Sequence, residues 1–198
     1  MVTGTRADYG LLYWVLQKIH GDPELILQLV VTGMHLSPEF GLTVKEIEAD
    51  GFPISERVEM LLSSDMEVGV STSIGLGVMG FASTFSRLKP DMLVLLGDRF
   101  EVLAAATAAM VARIPIAHIH GGESTEGLID EPIRHAVTKM SHIHFPAVDL
   151  YARRIRQMGE DPEKIFTLGA PGLDHIYLTS LPDRNDLQNE LEIDLTQR

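Results

Sequence analysis

Length, composition and charge narrow the classes to which this chain can belong. With 198 residues it is long enough for one large domain with a substantial core. Its formal net charge of −12 disfavours nonspecific binding to nucleic acid or to an anionic membrane. The lack of cysteine excludes disulfides and thiol catalysis and fits a reducing cytoplasm. We expect a cytoplasmic protein without a signal peptide or a membrane span, since the longest largely apolar run covers only residues 102–112.

The first half of the chain alternates predicted strands and helices. Residues 1–3 resemble the end of a first strand that we expect to begin outside the chain, because three residues make a poor strand. The pattern then predicts a helix, a strand, a short helix, an edge strand and a longer helix, over residues 7–19, 25–32, 44–49, 53–59 and 65–88. Pro90 stops the last helix.

Three glycines in the longer helix match a nucleotide-binding pattern. Gly75, Gly77 and Gly80 satisfy G-x-G-x-x-G. This pattern indicates a dinucleotide site only where it follows a strand and opens a helix, and no long apolar strand precedes it here. We therefore predict that these glycines let a helix pack closely, and an NAD-dependent oxidoreductase stays as an alternative.

The centre of the predicted sheet is the apolar run at residues 92–97. It is rich in valine and leucine, and apolar and polar residues do not alternate along it. This pattern favours a parallel strand covered on both faces. A helix is predicted over residues 100–112. Asp98 and Arg99 would then lie at the carboxyl end of a parallel strand, where open α/β folds bind ligands. A helix cap remains the alternative role for Asp98.

The most informative stretch begins with a predicted strand over residues 115–120. Glycines, four carboxylates, Arg134 and His135 follow it directly, and the strand carries His118 and His120 on one face. Loops with a structural role rarely need so many ionisable groups. For whichever of these two histidines lies deeper in the strand, a structural role in the hydrophobic core remains the alternative. Helix 133–140, strand 142–145 and helix 149–158 follow, and a polar tail from residue 178 ends as an uncertain helix.

Polar residues at predicted strand ends form one candidate site. The alternation of strands and helices predicts a doubly wound parallel sheet with right-handed crossovers, so these residues would face one crevice. Arginines near helix starts suit a diphosphate, and clustered carboxylates supply an acid and a base together. No metal-ligand spacing such as H-E-x-x-H occurs, so no metal is predicted. The candidates are Arg6, His35, Asp98, Arg99, His118, Glu123, Asp130, Glu131 and Arg134.

Five motifs together resemble the hydrolysing UDP-N-acetylglucosamine 2-epimerases of sialic-acid pathways. They are GTRADYG at residues 4–10, TGMH at 32–35, LGDRFE at 96–101, HIHGGE at 118–123 and DEPIRH at 130–135. The resemblance reaches to about residue 177. It implies the N-terminal half of a GT-B-like two-domain enzyme, with a Rossmann-like domain over residues 1–177. Residues 178–198 would form a polar interdomain or C-terminal segment, with the second domain absent.

The resemblance also implies roles for the candidate residues. Asp98, Glu123, Asp130 and Glu131 would be catalytic, while Arg6, His35, Arg99, His118 and Arg134 would bind a UDP-sugar. It implies a homo-oligomer, either dimer or tetramer, and no cofactor. Some relatives carry glutamate where this chain has His120, and whether Glu123 or another group takes over the role of that carboxylate stays open. A related epimerase for a UDP-diacetamido-trideoxyhexose and a noncatalytic nucleotide-sugar-binding module stay as alternatives.

The chemistry of such an epimerase requires several carboxylates. The C2 hydrogen of a nucleotide sugar has no neighbouring carbonyl to acidify it, so loss of UDP must precede or accompany its removal. Elimination would give a 2-acetamidoglucal. Addition of a proton to C2 from the opposite face and of water to C1 would then yield N-acetylmannosamine. Carboxylates on both faces of the ring meet this requirement.

Overall fold

The computed structural model describes residues 1–179 and 182–193, in which six parallel strands alternate with helices. The strands are β1 (Val2–Thr3), β2 (Leu29–Thr32), β3 (Ile54–Val58), β4 (Leu93–Leu96), β5 (Ile116–Ile119) and β6 (Ile143–Phe145). The helices are α1 (Arg6–Gly21), α2 (Val44–Ala49), α3 (Glu67–Leu88), α4 (Phe100–Ala112), α5 (Asp130–Met140), α6 (Asp149–Gln157), α7 (Asp174–Leu178) and α8 (Arg184–Leu191).

The strands form two parallel ladders, β1–β2–β3 and β4–β5–β6. β1 also lies beside β4, which gives the spatial order β3-β2-β1-β4-β5-β6. The chain therefore winds outward in both directions from the boundary between β1 and β4. Ligand crevices of open α/β folds form at such a boundary, above the carboxyl ends of the strands. The predicted doubly wound parallel sheet is confirmed.

Helices cover both faces of this sheet. Val30 and Leu95 contribute to one core, which includes residues of α3, α4 and α5. Leu29 and Leu96 point to a second core, which includes residues of α1 and α2. Successive strand residues point to opposite faces, so one short strand serves both cores. The prediction that the apolar run before Gly97 is buried on both faces is confirmed.

Predicted and observed boundaries agree best where local signals are strong. α2 and α4 have the predicted limits. β2 is shorter than predicted because Val2 of β1 pairs with Val30, so residues 25–28 lie before the start of the ladder. α5 begins at Asp130, earlier than predicted, with two acidic residues in its first turn that favour a helix N-terminus.

The polar tail predicted from residue 178 is described only in part. α8 lies in it and begins with an Asp183 capping box. Residues 180, 181 and 194–198 of this segment lie outside the described residues.

The glycine pattern at residues 75–80 lies in the middle of α3 and not at a strand–helix junction. A methyl group added at Gly77 would lie 2.9 Å from Cβ of Ala104 on α4, and one at Gly80 would lie 2.6 Å from Cγ1 of Val58 on β3. Gly77 and Gly80 thus allow close packing, as predicted, whereas Gly75 has open space around it, and the three glycines do not form a dinucleotide loop. Within the described residues, α3 is the one helix long and apolar enough to cross a membrane, and in the fold its Phe81 is fully buried.

Candidate active site

Two carboxylates from neighbouring strand ends converge on one guanidinium. Asp98 follows β4, Glu123 follows β5, and Arg134 extends from the first turns of α5. Nη2 of Arg134 contacts Oδ2 of Asp98, and its Nη1 lies 3.5 Å from Oε2 of Glu123. The same Nη1 donates to the backbone oxygen of His120 at 2.8 Å. Because the Arg134 side chain is only 8% exposed, these charges interact with little screening by water.

The two carboxyl groups have pKa values shifted in opposite directions. Burial raises the pKa of Asp98, and the charges of Asp130 and Glu123 raise it further against the opposing effect of Arg134. Burial alone would also raise the pKa of Glu123. Its hydrogen bond and electrostatic interaction with His120, together with the charge of Arg134, outweigh burial, so the pKa of Glu123 is lowered. The site thus separates a carboxyl that retains its proton more readily from one that stays ionised.

Asp98 is not a helix cap. The N-cap of α4 is Arg99, whose side chain makes no capping hydrogen bond. The Asp98 carboxylate instead contacts Arg134. This geometry removes the alternative role for Asp98.

The other two predicted catalytic acids differ in what they contact. Asp130 is the first residue of α5, is partly exposed, and acts on Asp98 through its charge. Glu131 accepts hydrogen bonds from the Ser124 hydroxyl at 3.0 Å and from the Thr125 amide at 3.2 Å. Glu131 therefore fastens the loop that precedes α5, whereas Asp130 remains available to a ligand.

Both predicted ligand-binding histidines are fully buried. Nε2 of His118 donates to the carbonyl of Gly97 at 2.7 Å, and burial lowers the pKa of His118 to about 4. His35 lies between the hydroxyls of Thr3 and Thr43, at 3.0 Å and 2.7 Å, and burial lowers its pKa as well. Both rings are enclosed by their hydrogen-bond partners and neighbouring residues, so neither reaches the crevice as predicted. They support the turns that carry Asp98 and Arg6.

The two remaining predicted arginines lie on the β1 side of the crevice. Arg6 begins α1, its side chain is 74% exposed, and its Nε donates to Glu46 at 3.0 Å. It lines an open cleft of about 700 Å³ together with aromatic residues of α1. Nε and Nη2 of Arg99 each lie 3.3 Å from the carboxylate of the buried Glu101. Both arginines are paired with a carboxylate, but the Arg6 pair is exposed and open to an incoming anion, whereas Arg99 is paired with a buried carboxylate.

Three residues shape the site but were absent from the candidate set. Asp8 accepts hydrogen bonds from the Gly4 and Thr5 amides at 2.9 Å and 2.7 Å, and a T-x-x-D capping signal identified it in principle. Glu101 is buried against the first two strand ends, and burial raises its pKa, which no local pattern indicates. His120 contacts Glu123 through a left-handed backbone position that sequence spacing does not reveal.

Among the described residues, no group of three or more His, Asp or Glu is arranged to hold a metal ion.

Comparison with known proteins identifies the family. The family model described as UDP-N-acetylglucosamine 2-epimerase matches residues 17–197. The chain belongs to this family. It is 47% identical over 184 residues to the hydrolyzing UDP-N,N'-diacetylbacillosamine 2-epimerase of Legionella pneumophila, covering 92% of this chain and 48% of that protein. Over 195 residues it is 41% identical to the hydrolyzing GDP/UDP-N,N'-diacetylbacillosamine 2-epimerase of Campylobacter jejuni, covering 98% and 50%.

A solved structure has the same fold. The UDP-GlcNAc 2-epimerase from Neisseria meningitidis, bound to UDP-GlcNAc, matches with a TM-score of 0.77 and 17% identity, over 97% of this chain and 50% of that one. The chain spans about half the length of the curated relatives it matches. The fold is therefore the Rossmann-like half of a GT-B-like epimerase.

Proposed function

We propose that this chain provides the acid–base residues of a hydrolysing 2-epimerase, which converts a UDP-2-acetamido sugar and water into the free 2-epimer and UDP. The observation that carries the proposal is the convergence of Asp98 and Glu123 on Arg134 at the carboxyl edge of the sheet. Their pKa values are shifted apart, as expected for one acid and one base in the same site. Family membership supports the same reaction class.

In the first half-reaction, the C1–O bond to UDP breaks and C2 loses its proton. Glu123, which stays ionised, takes this proton and the electron pair forms the C1–C2 double bond of a glycal. Arg6, exposed at the start of α1, binds the diphosphate through its guanidinium. UDP leaves with the electron pair of the C1–O bond.

In the second half-reaction, the glycal gains a proton at C2 and water at C1. Asp98, whose pKa is raised, supplies the proton from the opposite face. Water adds to C1 and loses its own proton to a carboxylate, for which Asp130 is the available group. Arg134 keeps the two carboxylates apart and limits their repulsion.

Two UDP-sugars are candidate substrates. Sequence motifs alone favoured UDP-GlcNAc, with a UDP-diacetamido-trideoxyhexose as the alternative. Identity of 47% and 41% to the two diacetylbacillosamine epimerases exceeds the 36% identity to a UDP-N-acetylglucosamine 2-epimerase of Neisseria meningitidis. We therefore infer that UDP-N,N'-diacetylbacillosamine is the better substrate, and kcat/KM for the two sugars compared side by side tests this order.

Isotopes test the reaction itself. We use a full-length form, in which this chain is joined to the half that its relatives have in addition. Turnover in D₂O should place one solvent deuteron at C2 of the product, and H₂¹⁸O should label C1 and leave UDP unlabelled. Protium retained at C2 after complete conversion would rule out elimination and hydration, and would favour hydride removal and return by a nicotinamide. Release of an unepimerised sugar would indicate a simple hydrolase, and no turnover would favour a noncatalytic binding module.

We further propose that residues 1–177 form one lobe of a cytoplasmic homo-oligomer and that residues 178–198 lead to a second lobe. The 198-residue chain alone should then be nearly inactive, because a GT-B active site lies between two lobes. Turnover of this chain close to that of the full-length form would contradict the proposal. Sedimentation of the full-length form measures its oligomeric state.

A further inference from the structure

We propose that His120 is a positioning residue, which donates from Nδ1 to Glu123 and thereby fixes the carboxylate that takes the C2 proton. This inference rests on the function proposed above. His120 immediately follows β5, whereas Glu123 lies three residues further along the same loop. The contact between them is local, and it lies beside the guanidinium on which Asp98 and Glu123 converge.

The two oxygens of Glu123 are held unequally. Nδ1 of His120 lies 2.6 Å from Oε1, a short contact between side chains that are 17% and 21% exposed. Oε2 lies 3.5 Å from Nη1 of Arg134, at the limit of a hydrogen bond. Oε1 is therefore the anchored oxygen, and Oε2 is the one free to accept a proton from a ligand.

Burial of the other ring nitrogen fixes the tautomer of His120. Nε2 is inaccessible to water and has no hydrogen-bond partner among the residues that the structure describes. A proton on Nε2 would be an unsatisfied buried donor, and an unprotonated Nδ1 would then face the Glu123 carboxylate with one lone pair against another. With the single proton of the neutral ring on Nδ1, the repulsion between lone pairs is replaced by a hydrogen bond to Glu123, and Nε2 remains as an unpaired acceptor. His120 thus acts as a donor to Glu123 and not as the acceptor of the substrate proton.

The backbone at His120 is held in a position that side chains rarely adopt. Its φ is +63°, in the left-handed region, where glycine or asparagine would be less strained. Arg134 donates to the carbonyl of this residue at 2.8 Å. The strain is therefore held by the guanidinium that also contacts Asp98 and Glu123, as expected where a backbone outlier serves a functional site.

Among the described residues, the charged and titratable groups around the His120–Glu123 contact are Arg134 on α5, Asp98 after β4, the buried His118 on β5, and Arg154 on α6, which donates to the carbonyl of Gly122. When the imidazole is removed, Arg134 is the hydrogen-bond donor that remains near Glu123. The ionisation of Glu123 should then require a higher pH, because its closest donor is lost.

The test compares two substitutions in the full-length form. His120→Gly removes the ring and leaves the backbone unstrained, whereas His120→Asn keeps a side-chain N–H near the position of Nδ1 and tolerates the left-handed backbone. We expect His120→Gly to lower kcat about 100-fold with little change in KM, as loss of one preorganised hydrogen bond does. The acidic limb of its pH–rate profile should move to higher pH. His120→Asn should keep kcat within about 10-fold of the wild type, and the acidic limb of its pH–rate profile should lie at the wild-type pH. His20→Asn, at the exposed end of α1, is the control.

Two outcomes would overturn the inference. One is a wild-type kcat and pH profile in His120→Gly. The other is turnover that survives Glu123→Gln but is lost in His120→Asn, which would make the imidazole itself the base. A wild-type enzyme that does not turn over any of the sugars would refute the proposed function instead. In that case the ¹⁵N chemical shifts of the His120 ring still test the hydrogen bond from His120 to Glu123. A proton found on Nε2 would contradict this hydrogen bond.

Discussion

Two stretches of this chain are rich in glycine, and only one of them serves a polar site. Residues 75–80 match a dinucleotide-binding pattern, yet they lie in mid-helix and pack against Val58 and Ala104. Residues 121–134 match no such pattern, yet they place Glu123 and Arg134 beside Asp98. The difference is position, because the second stretch directly follows the carboxyl end of a central strand and the first does not. Glycine spacing alone is thus a weaker guide to function than the strand that precedes it.

The largest expected effect is on catalysis by the second stretch. In the full-length form, Asp98→Asn and Glu123→Gln should each lower kcat about 10²–10⁴-fold, because each removes a positioned acid or base. Arg6→Ala should chiefly raise KM. Asp91→Asn, at the exposed amino end of β4, is the matched control. Steady-state kinetics measures all four, and a near-normal kcat for Asp98→Asn would remove that residue from the acid–base chemistry.

Loss of the shared guanidinium should affect stability. Arg134→Met leaves Asp98 and Glu123 without their buried cation, and breaking such a pair costs about 3–5 kcal/mol. The free energy of unfolding of this chain in urea measures the effect. Arg153→Met, exposed on α6, should change it little. Equal losses in the two variants would show that the charge cluster contributes nothing specific.

His118, on the strand that leads to this stretch, should make stability depend on pH. Burial lowers its pKa from 6.5 to about 4 in the folded chain, so between these values only the unfolded chain binds the proton. Its contribution is complete above pH 6.5 and is lost as the pH falls toward 4, by up to about 3 kcal/mol. His118→Gln should flatten this slope in urea unfolding at several pH values, while His20→Gln on the surface should not. An unchanged slope in His118→Gln would mean that the ring is not held neutral.

Much of the fold could be predicted from the sequence because its signals are local. The uninterrupted apolar run before Gly97 indicated a strand buried on both faces, and the limits of α2 and α4 followed from nearby turn residues. The carboxyl ends of parallel strands share one edge, so the meeting of Asp98 with Glu123 was also expected.

The details of the site depend on contacts that spacing does not encode. His35 and His118 lie at or just after strand ends as predicted, but contacts with segments distant in sequence, such as Thr3 and Gly97, keep them buried. In the sequence, Glu101 looks like an ordinary residue of a first helical turn. In the fold, Gly4 packs against its side chain. The bond from His120 to Glu123 requires a positive φ that no local pattern indicates.

The smallest expected effects separate two glycines of the first stretch. Gly75 is exposed and has free space around it, so Gly75→Ala should stabilise the chain by roughly 0.5–1 kcal/mol through helix propensity. A methyl group at Gly77 would lie 2.7 Å from Cε of Met60 and 2.9 Å from Cβ of Ala104. Met60 can move, but Ala104 is fixed on α4, so overpacking should cost about 1–3 kcal/mol and exceed the gain in propensity.

Urea unfolding of the two alanine variants makes this comparison within one helix and one motif. Opposite signs are expected, with Gly75→Ala above and Gly77→Ala below the wild type. A dinucleotide loop would instead require both glycines for close approach of a pyrophosphate, and both variants would weaken NAD binding in a titration followed by calorimetry. Equal shifts in stability would contradict the packing role of Gly77. Measurable NAD binding that both substitutions abolish would restore the pattern at residues 75–80 as a ligand site, and position after a strand would no longer distinguish the two stretches.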